Sequence, residues 1–419
     1  MNAAYSPHGD EAPTLRLAIV CNEVPCPPTH GGRADVLRRI RALTAAGVDV
    51  AQLVTWCAEG ENVPALQDYG IHADASVFPI SRGWPARARR LAGLLANSMS
   101  VVIRRRSHAD LAQLAERARA RGVNAVLLDG LFGGELACAL AQRLDVPLFV
   151  RSHNIEHQYL RDQYRAASGR TRLKFWLAAR CVYPFEYRTL SSAQAVFDIS
   201  VDDMVFWRAR GLGNVHWLPP ICEPLPPAAN ALEPVDVAYL GNLFSPNNVQ
   251  GIRWLIEQVW PRVRAAHPTA RMRIAGSKPT GEVVELCKAA PGVELLANVA
   301  VVTDVYTAAR ILVNPVLAGS GVNMKALEFL DSGAAVISTP QGAKGLPPEH
   351  QALFHIASSA EAFADAIVAA LAAPAVNVRE SRLPDCYRSA AVASAAQTML
   401  QHVVQHRQAT VVQRPSAQP

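Results

Sequence analysis

Residues 314–345 read NPVLAGSGVNMKALEFLDSGAAVISTPQGAKG, the most specific pattern in the chain. An apolar run at 311–313 leads into it, and a glycine loop at 319–321 precedes apolar residues at helical spacing. A second apolar run, 334–339, follows Gly333. The pattern predicts a strand, a glycine loop, a helix and a second strand, which together form a βαβ unit.

The glycine loop predicts a phosphate-binding site. Backbone N–H groups and the partial positive charge of a helix N-terminus favour an anion there. Lys325 and Glu328 lie one turn apart in the predicted helix. The lysine can neutralise a diphosphate, and the carboxylate can accept hydrogen bonds from ribose hydroxyls. The alternative is an ordinary βαβ unit with a surface Lys–Glu pair, because such loops are common.

The spacing G-x-G-x-x-x-K-x-x-E from Gly319 to Glu328, followed by Gly333 and the run AVIST, resembles the donor-nucleotide motif of GT-B glycosyltransferases, specifically of retaining family 4. The resemblance covers about residues 15–370 and implies that Glu328 binds the donor's ribose. The commoner family pattern has a second glutamate eight residues before Glu328, where this chain has Ser320. The chain therefore departs from the family at a position that contacts the sugar.

Composition indicates an ordinary globular protein. The 419 residues are 50% hydrophobic and 18% charged, which leaves room for two domains. The eight cysteines include no C-x-x-C pair and no Cys/His cluster at metal-ligand spacing, so they are expected to be reduced thiols. We expect a cytoplasmic protein, because residues 1–14 do not resemble a signal peptide and no apolar span reaches membrane length.

The net charge of +6 is unevenly distributed. Residues 1–218 hold 26 Lys and Arg against 20 Asp and Glu, whereas residues 219–419 hold 15 of each class. Basic residues are not interleaved with aromatic ones at regular spacing, so nucleic acid is not expected as a partner. An anionic lipid surface fits the charge better.

Strands and helices alternate along the whole chain, which predicts doubly wound parallel sheets. The predicted strands are 15–20, 48–55, 76–80, 125–128, 147–152, 195–199, 215–218, 235–240, 271–275, 293–297, 311–313 and 334–338. Predicted helices include 33–46, 247–267, 280–290, 303–309, 323–332 and 388–407. The predicted fold class is α/β, with two Rossmann-like doubly wound domains facing across a cleft, the GT-B arrangement.

A proline-rich segment without helical or strand period separates the two series and predicts the domain linker. The expected divisions are a flexible N-terminus 1–14, an acceptor domain 15–218, a linker 219–234, a donor domain 235–373, a crossover helix region 374–408 and a disordered tail 409–419. In the resembling enzymes the last helix returns to the first domain.

The first domain carries two candidate groups for acceptor or phosphate contact. Gly31 and Gly32 lie between the first strand and the first helix, where a simple turn is the alternative. Arg151, His153 and Asn154 follow the strand 147–150, at the edge where open α/β sheets place ligand groups. The spacing R-x-H-N-x-E resembles the family's cleft motif and implies that His153 contacts acceptor or sugar. Arg151 could instead pair with Glu156 and hold the loop.

The second domain carries the candidate donor site. Many family members have an arginine and a lysine after its first strand, where this chain has Asn242 and Asn247 or Asn248. Lys325 and the loop amides are then the better candidates to meet the diphosphate charge. The predicted donor-binding residues are Gly241, Asn242, Asn247, Gly276, Gly319, Ser320, Gly321, Val322, Asn323, Lys325 and Glu328, and the predicted catalytic residues are His153, Lys325 and Glu328.

Residues 82–106 contain seven arginines and no acidic residue around an apolar centre. The apolar part is too short to span a bilayer. A basic amphipathic element can lie on an anionic membrane, and a solvated helix packed on the core is the alternative. We therefore expect a peripheral position on the cytoplasmic membrane face through this segment.

The resemblance to family 4, together with these features, implies a retaining glycosyltransferase that moves a hexose from a nucleotide diphosphate sugar to a lipid-linked or saccharide acceptor in polysaccharide biosynthesis. The GT-B resemblance implies that no metal or other cofactor is needed, and the chain contains no D-x-D, as expected for that fold. A nucleotide-sugar epimerase on the same fold and a non-catalytic GT-B binding protein remain as alternatives.

Overall fold

The computed structural model describes residues 14–28, 31–81, 83–86, 88, 92, 110–166, 169–179, 182–319, 321–374 and 379–412. Within them, two parallel sheets of seven and six strands are present. The predicted α/β fold with two doubly wound sheets is therefore confirmed.

The first sheet has the strand order β3-β2-β1-β4-β5-β6-β7. Its strands are β1 Arg16–Cys21, β2 Asp49–Ala58, β3 Asp74–Ile80, β4 Ala125–Asp129, β5 Leu148–Ser152, β6 Ala195–Asp198 and β7 Val215–Trp217. Every residue of β4 and β5 is buried, as expected for parallel strands that are covered on both faces.

The second sheet has the order β10-β9-β8-β11-β12-β13. Its strands are β8 Val235–Asn242, β9 Met272–Ser277, β10 Val293–Ala297, β11 Ala309–Asn314, β12 Ala335–Ser338 and β13 His355–Ile356. Alternate residues of its central strands enter two separate cores, with Val237 and Tyr239 on one face and Ala238 and Leu240 on the other. The sheet is thus covered by apolar layers on both faces.

The helices that connect the strands match the predicted alternation. They are α1 Gly31–Ala45, α2 Leu111–Ala120, α3 Gly134–Leu144, α4 Glu156–Ala166, α5 Gly169–Ala179, α6 Val182–Ser191, α7 Val201–Arg208, α8 Pro246–Trp254, α9 Trp260–Ala266, α10 Gly281–Ala289, α11 Val302–Ala308, α12 Met324–Asp331, α13 Pro348–Gln351, α14 Ala360–Ala372 and α15 Val392–Val412. A π-helical turn, Leu255–Val259, joins α8 to α9 within the helix predicted over 247–267.

The chain forms two compact units. The first comprises residues 1–152, 160–197 and 390–419, and the second comprises 153–159 and 198–389. The C-terminal helix α15 belongs to the first unit, where its residue His402 packs against Phe149 of β5.

The proline-rich segment 219–234 lies entirely within the second unit, although the sequence places the domain linker there. Its backbone is fixed at several points. The N–H of Cys222 donates to the Tyr387 carbonyl, and the N–H groups of Ala229 and Asn230 donate to the Asp304 carboxylate. Because these bonds satisfy the backbone, the segment needs no helical or strand period to be ordered.

None of the helices in the described parts of the chain combines the length and the apolar character that a bilayer span requires. Most of the basic segment 82–106, including all seven of its arginines, lies outside the described residues. Within that segment the structure describes Trp84, whose side chain is 80% exposed.

Candidate functional site

The glycine loop is fastened to the start of α12 by side-chain amides. The Asn323 side chain caps the helix by accepting a hydrogen bond from the N–H of Lys325 at 3.1 Å. Its own amide donates to Asn314 at the end of β11, and Gln341 donates to the Gly319 carbonyl. Asn323 was predicted to bind the donor. In the structure its side chain stabilises the conformation of the loop through these hydrogen bonds. A phosphate at this helix end would meet N–H groups that precede Lys325.

Gly321 has a backbone conformation that only glycine adopts easily. Its φ is +70°, in the left-handed region, and a Cβ added there would lie 2.6 Å from Asn154 Oδ1 and 2.9 Å from the His153 carbonyl. Residues 153–159 group with the second unit, so this contact lies within that unit. The predicted residues His153 and Asn154 are thus packed on the glycine loop, and their roles toward acceptor or sugar stay predictions.

Gly321→Ala is expected to weaken binding of the donor nucleotide by about tenfold, because a left-handed alanine costs about 1–2 kcal/mol and its methyl group would displace Asn154. Isothermal calorimetry measures the change. Gly281→Ala is the matched control, since nothing lies within 4 Å of the added Cβ at the first residue of α10. Equal affinities for Gly321→Ala and wild type would show that the loop conformation does not govern binding.

Lys325 is held in a polar cluster at the carboxyl end of β8. Its Nζ donates to the Tyr239 hydroxyl at 2.9 Å and to Asn248 Oδ1 at 3.5 Å, and it lies 4.5 Å from the Tyr239 ring centroid. Burial lowers the pKa of Lys325 to about 8, while the nearby Glu328 carboxylate opposes this shift. The ammonium is therefore oriented and partly desolvated before any ligand arrives.

The Asn248 amide is itself oriented by its neighbours. Its Nδ2 donates to the carbonyl and to the side-chain oxygen of Asn242, each at 2.9 Å. Since the nitrogen faces Asn242, the amide oxygen faces Lys325. The second asparagine of the pair, Asn247, lies beside the loop, with its Nδ2 3.8 Å from the position of a Cβ on Gly319. The structure thus places Asn247 beside the glycine loop and Asn248 beside Lys325.

Glu328 lies on the same helix as Lys325 and accepts a hydrogen bond from the Tyr306 hydroxyl at 3.0 Å. Burial, together with the charge of Glu328, raises the pKa of Tyr306 well above its usual value, so the tyrosine remains a hydrogen-bond donor. The bond fixes the carboxylate at the helix surface. A fixed carboxylate beside a phosphate loop can accept hydrogen bonds from a diol such as ribose.

Two predicted donor-binding glycines occupy positions where a Cβ would clash with neighbouring atoms. A Cβ on Gly276 would lie 1.7 Å from the Gly241 carbonyl oxygen on the neighbouring strand. A Cβ on Gly241 would lie 2.6 Å from the Tyr239 hydroxyl and 2.8 Å from Lys325 Nζ. Gly276 therefore permits close approach of two strands, and Gly241 makes room for the lysine. Donor contact is not needed to explain either residue.

The structure corrects the placement of Arg151. This residue was predicted in an acceptor or phosphate loop, but it lies in β5 with only 1% of its side chain exposed. Its guanidinium pairs with Asp35 at 2.6 Å and with Asp129 at 3.3 Å. Two buried carboxylates keep the guanidinium in the core of the first unit, where a buried charge needs partners. The local sequence around Arg151 does not reveal these two aspartates, because both are distant in sequence.

The remaining predicted residues divide between the two units. Gly31 begins α1, two residues earlier than predicted, and Gly32 is the second residue of that helix rather than part of a loop. Val322 packs against the second unit's core. Ser320 lies outside the described residues.

Sequence reasoning assigned no role to Tyr239, Tyr306 or Gln341, although each contacts a predicted site residue. Tyr239 and Tyr306 are almost fully buried. An isolated tyrosine in an apolar run carries no signal that separates a hydroxyl aimed at a site from one aimed at the core. No group of three or more His, Cys, Asp or Glu side chains able to hold a metal ion occurs among the residues that the structure describes.

Comparison with known proteins assigns the second unit's central part to a family. Residues 234–373 match the family described as Glycosyl transferases group 1. A curated relative, an "Uncharacterized 44.6 kDa protein in cps region" of Klebsiella pneumoniae, is 24% identical over 368 residues, which cover 84% of this chain and 90% of the relative.

Solved structures share the fold over nearly the whole chain. Sucrose-phosphate synthase from Thermosynechococcus elongatus is 17% identical, with a TM-score of 0.57 and coverage of 94% of this chain and 98% of that one. Anabaena HepE in complex with UDP is 12% identical, with a TM-score of 0.54 and coverage of 94% and 100%. These chains have the GT-B fold. The protein is therefore a GT-B glycosyltransferase that carries a group 1 glycosyl transferase domain over residues 234–373.

Proposed function

We propose that the protein transfers a hexose, with retention of configuration, from a nucleotide diphosphate sugar to a lipid-linked or saccharide acceptor in polysaccharide biosynthesis. The observation that carries the proposal is the convergence of the glycine loop, Lys325 and Glu328 inside the matched domain. The relative in the cps region supports the polysaccharide context, and the UDP in the HepE structure supports a nucleotide-linked donor.

The donor would bind through complementary charges. Its diphosphate would meet the Lys325 ammonium and the loop N–H groups, while its ribose hydroxyls would donate to Glu328. Asn247 lies beside Gly319 of the loop and would donate to the same phosphates. The diphosphate would thus be bound by one cation, Lys325, and by several neutral hydrogen-bond donors.

Catalysis would consist mainly of stabilising the leaving group. As the bond from the sugar to the diphosphate breaks, negative charge grows on the diphosphate oxygen, and a preoriented ammonium stabilises that charge more than it stabilises the ground state. The acceptor oxygen bonds to the sugar as the bond to the diphosphate breaks, and the departing diphosphate accepts the acceptor's proton, so no protein base is required. Since the lysine and the amides meet this charge, turnover should persist in EDTA.

A panel of UDP-, GDP- and ADP-linked hexoses tests the function. The purified protein should slowly release nucleoside diphosphate from at least one donor without an acceptor and much faster with a suitable one. Formation of the sugar epimer without acceptor would indicate an epimerase instead. Tight nucleotide binding without any turnover would indicate a binding protein.

We also propose that residues 82–106 attach the protein to an anionic membrane surface. Each cation near such a surface contributes about 1 kcal/mol. Arg105→Gln should therefore lower partitioning onto vesicles with anionic phosphatidylglycerol by about fivefold at low salt, with a smaller effect as salt rises. Vesicle sedimentation measures the change. Equal sedimentation of variant and wild type at low salt would remove this segment from the proposal.

A further inference from the structure

We propose that Tyr239 and Asn248 are positioning residues that hold the Lys325 ammonium where the donor's phosphates bind. The inference rests on the proposed function, because it names the groups that orient the phosphate-binding cation. Tyr239 carries no signal in the sequence that would indicate such a role. Asn248 lies in the segment where many GT-B enzymes have cationic residues.

The geometry fixes the ammonium from two sides. The Tyr239 hydroxyl accepts from Nζ at 2.9 Å, and Asn248 Oδ1 accepts at 3.5 Å. These two bonds leave the third ammonium hydrogen for another acceptor. Both partners are neutral, so neither cancels the lysine's charge as a carboxylate would.

The supporting residues are themselves held in place. Tyr239 projects from the buried strand β8, with 1% of its surface exposed, and packs in the core with Val249 and Ile252. Asn248 is locked by its two bonds to Asn242, whose side-chain oxygen also accepts from the N–H of Ser245. A lysine side chain has several rotatable bonds, so its ordering before binding removes part of the entropic cost of binding a phosphate.

Gly241 is the third part of this arrangement. A Cβ at that residue would lie 2.8 Å from Lys325 Nζ and 2.6 Å from the Tyr239 hydroxyl. Any side chain there would separate the lysine from the tyrosine. The glycine at the end of β8 thus keeps the space in which the two groups meet.

Among the residues that the structure describes, two titratable side chains are identified near Nζ. Tyr239 faces it from β8, and Glu328 lies on the lysine's own helix, where it is bonded to Tyr306 of α11. Burial lowers the pKa of Lys325 to about 8. The ammonium therefore loses its charge as the pH rises through about 8 in the free protein, and diphosphate affinity should fall over the same range.

Titration by NMR of protein labelled with [ε-¹³C]lysine tests the positioning directly. The chain has five lysines, and Lys325→Arg identifies the signal of Lys325. Asn248→Asp should raise the titration midpoint by about one pH unit or more, because an opposite charge within about 4–6 Å favours the charged form. Tyr239→Phe should lower it, because the ammonium loses a hydrogen-bond acceptor. Gln250→Glu adds a charge at an exposed position of α8, the helix that contains Asn248, and should leave the titration midpoint unchanged.

Binding of UDP, GDP and ADP to the same proteins is then measured across pH, and the tightest of the three is used as the probe. The alkaline loss of affinity should move upward for Asn248→Asp and downward for Tyr239→Phe, in step with the NMR midpoints. If each variant bound the nucleotide more weakly than wild type by the same factor at every pH, the role of these residues would be purely structural and the proposal would be overturned. A shifted NMR midpoint with an unshifted binding curve would also overturn it. The wild-type donor panel decides the proposed function separately, since it uses neither variant.

Discussion

Lys325→Met is expected to lower kcat by about 10²- to 10³-fold, the range for removing one preoriented group that stabilises developing negative charge. The reason is the position of the ammonium, fixed against Tyr239 next to the glycine loop. Methionine keeps much of the length and apolar stem of lysine, so the fold should be nearly unaffected. Steady-state kinetics with the preferred donor measures the effect, and thermal unfolding checks the fold.

Lys288→Met is the matched control for this substitution. Lys288 is an exposed lysine on α10 that pairs with Glu285, so its loss should leave kcat unchanged. The assignment of Lys325 fails if Lys325→Met retains full turnover, or if its unfolding temperature falls so far that lost activity merely reports lost protein.

Glu328→Ala is expected to weaken binding of the nucleoside diphosphate by about 1.5–3 kcal/mol, the cost of losing a hydrogen bond to a charged group. The carboxylate is fixed by Tyr306 and lies one turn from Lys325, where we propose that it accepts hydrogen bonds from ribose hydroxyls. Calorimetry with nucleoside diphosphate gives the affinity directly.

Two comparisons sharpen the Glu328 result. Glu285→Ala removes an exposed carboxylate from α10 and should not change affinity. Tyr306→Phe keeps the carboxylate but releases its anchor, so it should weaken binding less than Glu328→Ala does. Unchanged affinity in Glu328→Ala would rule out the ribose-binding role.

The sequence predicted the fold well because parallel strands buried on both faces are continuous apolar runs with sharp ends. Every predicted strand has a counterpart in the structure, with ends that differ by a few residues at most. The strand that the pattern missed among the described elements, β13 His355–Ile356, has two residues, both of them exposed. Such a short edge strand has neither the length nor the burial that produces a periodic signal.

The domain boundaries were predicted from amino-acid composition. The contacts between residues in the structure divide the chain at other positions. Proline-rich composition indicates a linker only when the backbone is left to solvent. Here the Asp304 carboxylate and the Tyr387 carbonyl bind that backbone, and both lie far along the chain. Local composition contains no information about such distant partners.

The candidate site was predicted in part. The spacing of Gly319, Lys325 and Glu328 follows from helix geometry, so the sequence places the lysine and the glutamate on one helix. Their orientation depends on Tyr239 and Tyr306, which come from other elements of the fold. Arg151 shows the opposite error, because this arginine at a strand end was predicted to contact acceptor or phosphate, or to pair with Glu156, whereas it forms buried ion pairs with two aspartates that are distant in sequence.

Hydrogen–deuterium exchange with and without saturating nucleoside diphosphate tests most directly whether the donor binds to the glycine loop of the group 1 domain. Donor binding at this loop predicts slower exchange in peptides that cover residues 316–328 and 239–248, with a smaller effect in Glu328→Ala at the same ligand concentration. Slowed exchange confined to the first unit, for example to α1 at Gly31–Ala45, with none in 316–328, would contradict it.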